Sequence, residues 1–177
     1  MRVGSKNDFL SWLTALGLPL PREGVRAPAD WKLVSVELPE YYGRNTLLID
    51  AIFGLLSDPP FAGAAMCTGE FAMISDESAT SMIFDRLRSC ATGQSSCAEE
   101  TYFTEFDRAD YDDLYSLSLI AALGRWDFWI VASDRSYIAR FSHDGFCIVG
   151  TKSVAMIDRL IVWLNDLEFG FSHVHGF

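Results

Sequence analysis

The chain lacks the short motifs that mark the common enzyme classes. Its 177 residues contain no P-loop, no G-x-G-x-x-G, no G-x-S-x-G and no H-E-x-x-H. Each of these motifs holds a phosphate-binding backbone, a nucleophile or a pair of metal ligands at a fixed spacing. Their absence argues against the common nucleotide-binding and hydrolase classes, although an enzyme whose residues are scattered along the sequence stays open. We predict that the protein is not an enzyme and has no catalytic residues and no cofactor.

Positive charge is also scarce. Lys and Arg number 14, and only Lys6, Lys32 and Lys152 are lysines, against 24 Asp and Glu, so the formal net charge is −10. An acidic surface repels phosphate backbones and anionic lipids, and we therefore expect binding neither to nucleic acid nor to a membrane. The charge suits a basic protein partner, while simple solubility is the alternative explanation.

No apolar run approaches the ~20 residues that cross a bilayer. The apolar piece near the N-terminus, residues 9–20, is interrupted by Ser11 and Thr14, and its apolar residues at 9, 12, 13 and 16 have helical spacing. This spacing predicts an amphipathic helix and not a signal peptide. We therefore expect a cytoplasmic protein.

Cysteines are few and unclustered. The four residues Cys67, Cys90, Cys97 and Cys147 include no C-x-x-C pair. Cys90 and Cys97 flank the segment ATGQSS, which would permit a disulfide, but a chain of this length does not need a disulfide framework. We prefer buried or incidental free thiols and leave the pairing of Cys90 with Cys97 open.

Three histidines could carry chemistry. His173 and His175 would point the same way from an extended segment, and His143 could be a third nitrogen ligand of a metal. A terminal segment rarely supplies the surrounding hydrogen bonds that orient such ligands, so we predict no metal site and a packed or surface terminus instead. Cys147 follows His143 closely, and whether the two side chains face each other for thiolate chemistry depends on strand register.

The apolar pattern predicts an α+β fold in one globular domain over residues 1–177. Strands over 128–132, 137–143 and 146–150, with a turn at Asp144-Gly145, form a C-terminal three-strand antiparallel meander over about 127–150. Several helices pack on this sheet. The other predicted elements are helices from Asn7 or Asp8 to Leu16, 46–56, 77–90, from Asp112 or Asp113 to Leu123 and 151–165 (with Val154, Ile157, Ile161 and Leu164 on one face), strands over 31–38 and 101–106, and a tail over the last dozen residues.

Carboxylates and aromatic residues are interleaved in the stretch 99–113. Like charges this close are costly unless something offsets them, and aromatic side chains within a charged patch supply contact area for a partner. Carboxylates around them would steer a basic partner toward the site. The alternative is a solvated loop with its aromatics tucked inward and a helix capped by Asp112. The predicted partner-binding residues are Glu99, Glu100, Glu105, Phe106, Asp107, Asp110, Tyr111, Asp112 and Asp113.

Three features together resemble the small cytosolic immunity proteins of bacterial toxin systems. They are the acidic aromatic stretch 99–113, the meander sequence RWDFWIVASDRSYIARFSHDGFCIVG and the amphipathic helix that follows it. The resemblance covers the C-terminal half of the chain and includes no diagnostic motif, so no functional residue is carried over by position. It implies a cognate toxin as the partner, such as a basic nuclease whose cationic groove the carboxylates would fill as a phosphate mimic.

Two other functions stay open. A small-molecule-binding protein or enzyme would have a pocket lined by Trp31, Trp126, Trp129 and Tyr137, although such residues more often form core. A structural or adaptor domain would use the apolar segment 46–56 as an interface instead of a core element.

Overall fold

The structure, a computed structural model, describes residues 1–18, 28–38, 42–56, 61–68, 89 and 103–174. Within these ranges the chain forms four helices and eight strands. The helices are α1 (Lys6–Ala15), α2 (Tyr42–Leu56), α3 (Tyr111–Leu123) and α4 (Val154–Asp166), and the strands are β1 (Arg2–Gly4), β2 (Lys32–Glu37), β3 (Ala64–Thr68), β4 (Phe103–Phe106), β5 (Phe128–Ala132), β6 (Tyr137–Ser142), β7 (Phe146–Thr151) and β8 (Phe171–Val174). The predicted helix over 77–90, apart from Ser89, lies outside the described residues, as do Cys90, Cys97, Glu99, Glu100 and His175.

The described strands join into one antiparallel sheet in the order β1-β4-β3-β5-β6-β7-β2-β8. The prediction of an α+β fold with a C-terminal three-strand meander is confirmed, because β5, β6 and β7 are consecutive neighbours. Strands from distant parts of the chain extend the meander on both sides, since β3 pairs with β5 and β2 pairs with β7.

The turn between β6 and β7 shows why the meander forms. Gly145 has a φ of 89°, a left-handed conformation that costs little in a residue without a Cβ. The turn sets a register in which Phe141 pairs with Cys147. Successive side chains of β6 then point to opposite faces, so that Phe141 enters one core and Ile138 the other, as the sequence pattern predicts.

Helices α2, α3 and α4 cover one face of the sheet, which we call the helical face. Helix α2 lies between the other two and packs against both. Its central position explains its almost wholly apolar sequence, because one side meets the sheet and both flanks meet helices. The core residues of α2 are Leu48, Ile49, Ala51, Ile52, Phe53 and Leu55. None of the described helices is both long and apolar enough to cross a bilayer.

The apolar stripe of α4 differs from the predicted one. Its buried residues are Met156, Ile157, Leu160 and Leu164. Val154, which the sequence pattern places on this stripe, is 56% exposed because it is the first residue of the helix and precedes the turn that meets the sheet.

Helix α1 covers part of the opposite face, where Phe9 packs against Phe103 at a ring-centroid distance of 5.5 Å. The helix begins at Lys6 because Ser5, and not Asn7 or Asp8, caps it. The Ser5 Oγ accepts a hydrogen bond from the Asp8 backbone N–H at 3.4 Å, and Asp8 Oδ2 accepts one from the Ser5 backbone N–H at 2.6 Å. This reciprocal pair is a capping box.

Further predicted bounds are wrong, and helix α4 begins at Val154 and not at residue 151. Helix α2 begins at Tyr42 and helix α3 at Tyr111, both earlier than predicted. The end of the chain is not simply a tail, since Phe171–Val174 forms the edge strand β8 beside β2. Strand β7 pairs with one side of β2 and leaves the other side open. The turn after α4, in which Glu168 adopts a φ of 55°, brings the chain back to this open side of β2.

Candidate functional site

The described part of the predicted acidic surface lies at the start of α3. Asp107, Asp112 and Asp113 are exposed there, and we call these three residues the carboxylate patch. The Asp107 carboxylate accepts a hydrogen bond from the backbone N–H of Ala109 at 2.7 Å and caps the short 3-10 turn that leads into α3. Asp112 and Asp113 occupy the first turn of the helix, where its dipole favours negative charge. Neither forms an ion pair with a described residue.

Asp110 is directed inward instead. Its Oδ2 lies 2.8 Å from the Met1 amino group and accepts a hydrogen bond from the Asp107 backbone N–H at 3.0 Å. Burial acts to raise the pKa of Asp110, but these two hydrogen bonds outweigh it and hold the pKa below its ordinary value. This carboxylate therefore joins the Met1 amino group to the 3-10 turn before α3, and it is less available to a partner than the carboxylate patch.

The described aromatic residues of the stretch face the core, which corrects the predicted place of Phe106 and Tyr111 on the surface. Phe106 is only 1% exposed, because its pairing with Ala64 of β3 directs the side chain to the helical face. Tyr111 is half-buried, and its ring meets Phe53 and Phe61 edge-on at 5.6 and 5.3 Å between centroids. Its hydroxyl donates to the Phe53 carbonyl at 3.0 Å. The described aromatics are thus tucked inward, as the alternative interpretation of this stretch has it.

Glu105 is separated from the carboxylate patch by the alternation of β4. It points to the face opposite to Phe106, where its Oε1 accepts a hydrogen bond from Trp12 Nε1 of α1 at 3.0 Å. Arg2 of β1 lies 3.8 Å from its other oxygen. Glu105 therefore ties α1 to the sheet and does not extend the patch.

A groove that the sequence did not predict runs between α2 and α4. It is a shallow, open depression of about 390 Å³ on the outer side of the helical layer. Its lining residues are Leu47, Asp50 and Ala51 of α2, and Trp163, Asp166 and Leu167 at the end of α4. Leu47 is 42% exposed, whereas the large apolar side chains Leu48, Ile49, Ile52, Phe53 and Leu55 of the same helix are buried. The sequence signal for this position is its spacing, because residues three apart lie on the same face of a helix and Leu47 therefore shares a face with the polar residue Asp50.

The two carboxylates give the groove a negative rim. Asp50 Oδ1 accepts a hydrogen bond from the Tyr115 hydroxyl of α3 at 2.5 Å, which raises the pKa of Tyr115 to about 12, with burial adding to the effect. Asp166 is exposed on the opposite wall. The nearby guanidinium of Arg44 donates to the carbonyls of Leu167 and Glu168, so it closes the end of α4 and does not pair with either rim carboxylate in the described structure.

His143 and Asp127 form a second polar cluster, at the end of the sheet where β5 begins and β6 ends. The nearly buried Asp127 accepts the His143 backbone N–H at 3.0 Å through Oδ1, and its Oδ2 lies 2.7 Å from His143 Nδ1. Asp144 Oδ1 lies 3.4 Å from His143 Nε2. The hydrogen bond and charge of Asp127 raise the pKa of His143 above its ordinary value. Since carboxylates contact both ring nitrogens, the cluster fastens the β6–β7 turn to the start of β5.

The register separates Cys147 from His143. The Cys147 thiol is fully buried in the core of the helical face, whereas His143 is exposed at the turn. Burial raises the pKa of the Cys147 thiol well above its ordinary value, so it is neither a thiolate nor accessible to a substrate. Among the described residues, no group of three or more His, Cys, Asp or Glu side chains is arranged to hold a metal ion.

The four aromatics of the hypothetical ligand pocket do not come together. Trp126 and Tyr137 belong to the core of the helical face, and Trp31 and Trp129 to the core on the α1 side of the sheet. The sheet lies between the two pairs because Trp129 and Tyr137 project from it on opposite sides. All four are buried. They are core residues, which is the more common role of such aromatic side chains.

No protein-family model, curated protein or solved structure matches the chain. Two surface features of the chain itself can bind a partner, namely the carboxylate patch at the start of α3 and the groove between α2 and α4.

Proposed function

We propose that the chain is a protein-binding domain whose carboxylate patch engages a basic protein. The observation that carries the proposal is the exposure of Asp112 and Asp113, side by side and without an ion pair to any described residue. The dipole of α3 offsets part of their mutual repulsion, so the patch persists in the unbound protein. A cationic partner surface would offset the remainder.

The patch is suited to fast, salt-sensitive recognition. Exposed carboxylates contribute little to affinity when isolated, but a group of one sign steers an oppositely charged partner and increases the association rate. The formal net charge of −10 adds a long-range attraction for any basic protein. Both effects weaken as salt screens the charges over about 10 Å at 0.1 M ionic strength.

The sequence resemblance implies that the role of this binding is to neutralise a toxin. We propose that the chain is a cytoplasmic immunity protein and that its partner is a basic toxin, such as a nuclease, whose cationic substrate groove the patch occupies. In this role the chain performs no catalysis itself. It prevents the toxin from reaching its nucleic-acid substrate.

Capture of the partner from the native cells, at low and at high salt, tests the proposal. The double variant Asp112→Asn/Asp113→Asn removes the two charges while keeping the side-chain size. We expect it to weaken binding by about tenfold or more, chiefly through slower association. The control is Asp134→Asn/Asp158→Asn, which removes the same charge from exposed positions outside the patch and should bind as the wild type does.

Two outcomes would overturn the proposal. The first is equal binding by both double variants together with insensitivity to salt, which would exclude the patch. The second concerns the toxin: the captured partner should arrest growth when expressed alone and should be harmless when co-expressed with the chain. A partner that is harmless by itself would exclude neutralisation.

A further inference from the structure

The groove between α2 and α4 is an apolar recess in the outer side of the helical layer. Gly54 of α2 lets the Trp163 ring of α4 lie directly on the α2 backbone. This ring and Leu167 form one wall of the groove, and Leu47 and Ala51 form the other. The recess therefore places the exposed apolar side chain of Leu47 between two carboxylates, an arrangement typical of a binding anchor site.

The rim of the recess selects the charge of what enters it. Asp50 and Asp166 stand on opposite walls, while the guanidinium of Arg44 is held by the carbonyls at the end of α4 and packs over the Phe169 ring at 4.9 Å. An apolar side chain carried on an acidic segment would bring like charges together. An apolar side chain flanked by Lys or Arg would pair with both walls.

The recess and the carboxylate patch lie on the same side of the helical layer. Tyr115, whose hydroxyl binds Asp50 on the rim, is one turn of α3 after Asp112. A partner segment that crosses α3 and α2 would therefore meet the patch first and the recess next.

We propose that the recess between α2 and α4 binds an aliphatic side chain on a Lys- or Arg-rich segment of the partner protein. This inference rests on the proposed function, since it assigns the apolar anchor of the same basic partner. The patch supplies encounter and the recess supplies slow dissociation, because a buried apolar anchor contributes more to residence time than exposed charges do. A second copy of the chain is a poor occupant, since a two-fold interface would place Asp50 and Asp166 against the same two carboxylates.

The test uses the full chain and a fluorescein-labelled amphipathic peptide of Leu and Lys, with binding followed by fluorescence anisotropy. We expect Leu47→Arg to weaken binding about tenfold or more, because it fills the recess and adds a like charge. The matched control is Val154→Arg, an exposed apolar residue at the opposite end of α4, about 18 Å along the helix from Asp166, which should change the affinity by less than about twofold. The indole N–H signal of Trp163, assigned with Trp163→Phe, should shift when the peptide binds.

The remaining arms test the charge and the occupant. The same peptide with Glu in place of each Lys should not bind, and Asp50→Asn/Asp166→Asn should weaken the Lys peptide while Asp134→Asn/Asp158→Asn does not. Equal binding of the Lys and Glu peptides, or equal effects of Leu47→Arg and Val154→Arg, would overturn the inference. So would a concentration-dependent dimer of the chain alone that Leu47→Arg converts to a monomer, since the recess would then hold a second copy.

Failure of the inference differs from failure of the proposed function. If the patch variant loses the native partner while Leu47→Arg retains it, the patch binds and the recess does not. If the patch variant retains the partner while the Lys peptide binds in the recess and Leu47→Arg loses both, the recess is upheld and the patch is not part of the interface.

Discussion

Gly54 and Trp163 are in contact across the α2–α4 interface, and there is no space for a side chain between them. A Cβ built on Gly54 would lie 2.6 Å from Cη2 and 2.8 Å from Cζ3 of the Trp163 ring. Such distances are well below van der Waals contact, so the ring can rest on α2 only because residue 54 has no side chain. The position of the ring in turn shapes the wall of the groove.

We predict that Gly54→Ala lowers the free energy of unfolding by up to about 2 kcal/mol, because a methyl group inserted into a packed contact usually costs about 1–3 kcal/mol. The gain in helix propensity from Gly to Ala, about 1 kcal/mol, offsets part of this cost. Urea denaturation followed by circular dichroism measures the change. The control is Gly43→Ala in the same helix, where a Cβ would meet nothing within 4 Å and the change should stay within about 0.5 kcal/mol of zero or be stabilising. Similar values for the two variants would show that the contact is not tight.

A second prediction concerns the pKa of His143. Because the Asp127 hydrogen bond raises this pKa above the ordinary 6.5, the charged pair stabilises the fold fully below pH 6.5, and the contribution disappears as the pH rises through the raised value. Asp127→Asn should return the pKa toward 6.5 and remove this pH dependence. An NMR titration of the His143 ring protons measures it.

The comparison for this titration is Asp144→Asn, since Asp144 contributes less to the raised pKa than Asp127 does. It should lower the pKa of His143 by a smaller amount. A larger effect from Asp144→Asn would mean that the exposed carboxylate, and not the nearly buried one, controls the ring.

A third prediction distinguishes the observed cap of α1 from the one predicted from the sequence. Ser5→Ala should cost about 1 kcal/mol, because it removes the side chain that caps the helix. Asn7→Ala, at an exposed position that makes no cap, should be neutral or slightly stabilising. Thermal unfolding of the two variants measures the difference, and a larger loss for Asn7→Ala would place the cap where the sequence suggested.

The capping box also has a pH dependence. The hydrogen bond from the Ser5 side chain, together with that from the Ser5 backbone N–H, lowers the pKa of Asp8 below its ordinary 3.8. Its contribution to stability is therefore complete above pH 3.8 and is lost as the pH falls through the lowered value. Ser5→Ala should reduce this acid-side dependence.

Local patterns were sufficient to predict the meander and the helix that follows it. The alternation in β6, the Asp144-Gly145 turn and the spacing of Ile157 and Leu164 each depend on neighbours close in sequence. Such local patterns could not predict the edge strands of the sheet. Strand β8 exists because β2 has a second side to pair with, and β2 lies near the other end of the chain.

The candidate site shows the same limit. The sequence indicated which residues of the stretch 99–113 are acidic, and the structure shows that Asp107, Asp112 and Asp113 among them are exposed. It could not show that Phe106 faces the core, because that orientation follows from the pairing of β4 with β3. The groove was also out of reach, since its walls come from α2 and α4 and meet only in the folded chain.

The order of the strands has a consequence for how the chain acquires its structure during synthesis. The meander and its helix can assemble from consecutive residues as they leave the ribosome, but β2 emerges long before β7 and β8, the two strands on either side of it. Pairings between such distant segments form slowly because a long loop must close first. The early strands β1, β2 and β3 therefore keep unpaired edges and exposed apolar side chains until their partner strands have been synthesised. The nascent chain is thus most exposed to aggregation and to chaperones before strands β4 to β8 have been synthesised.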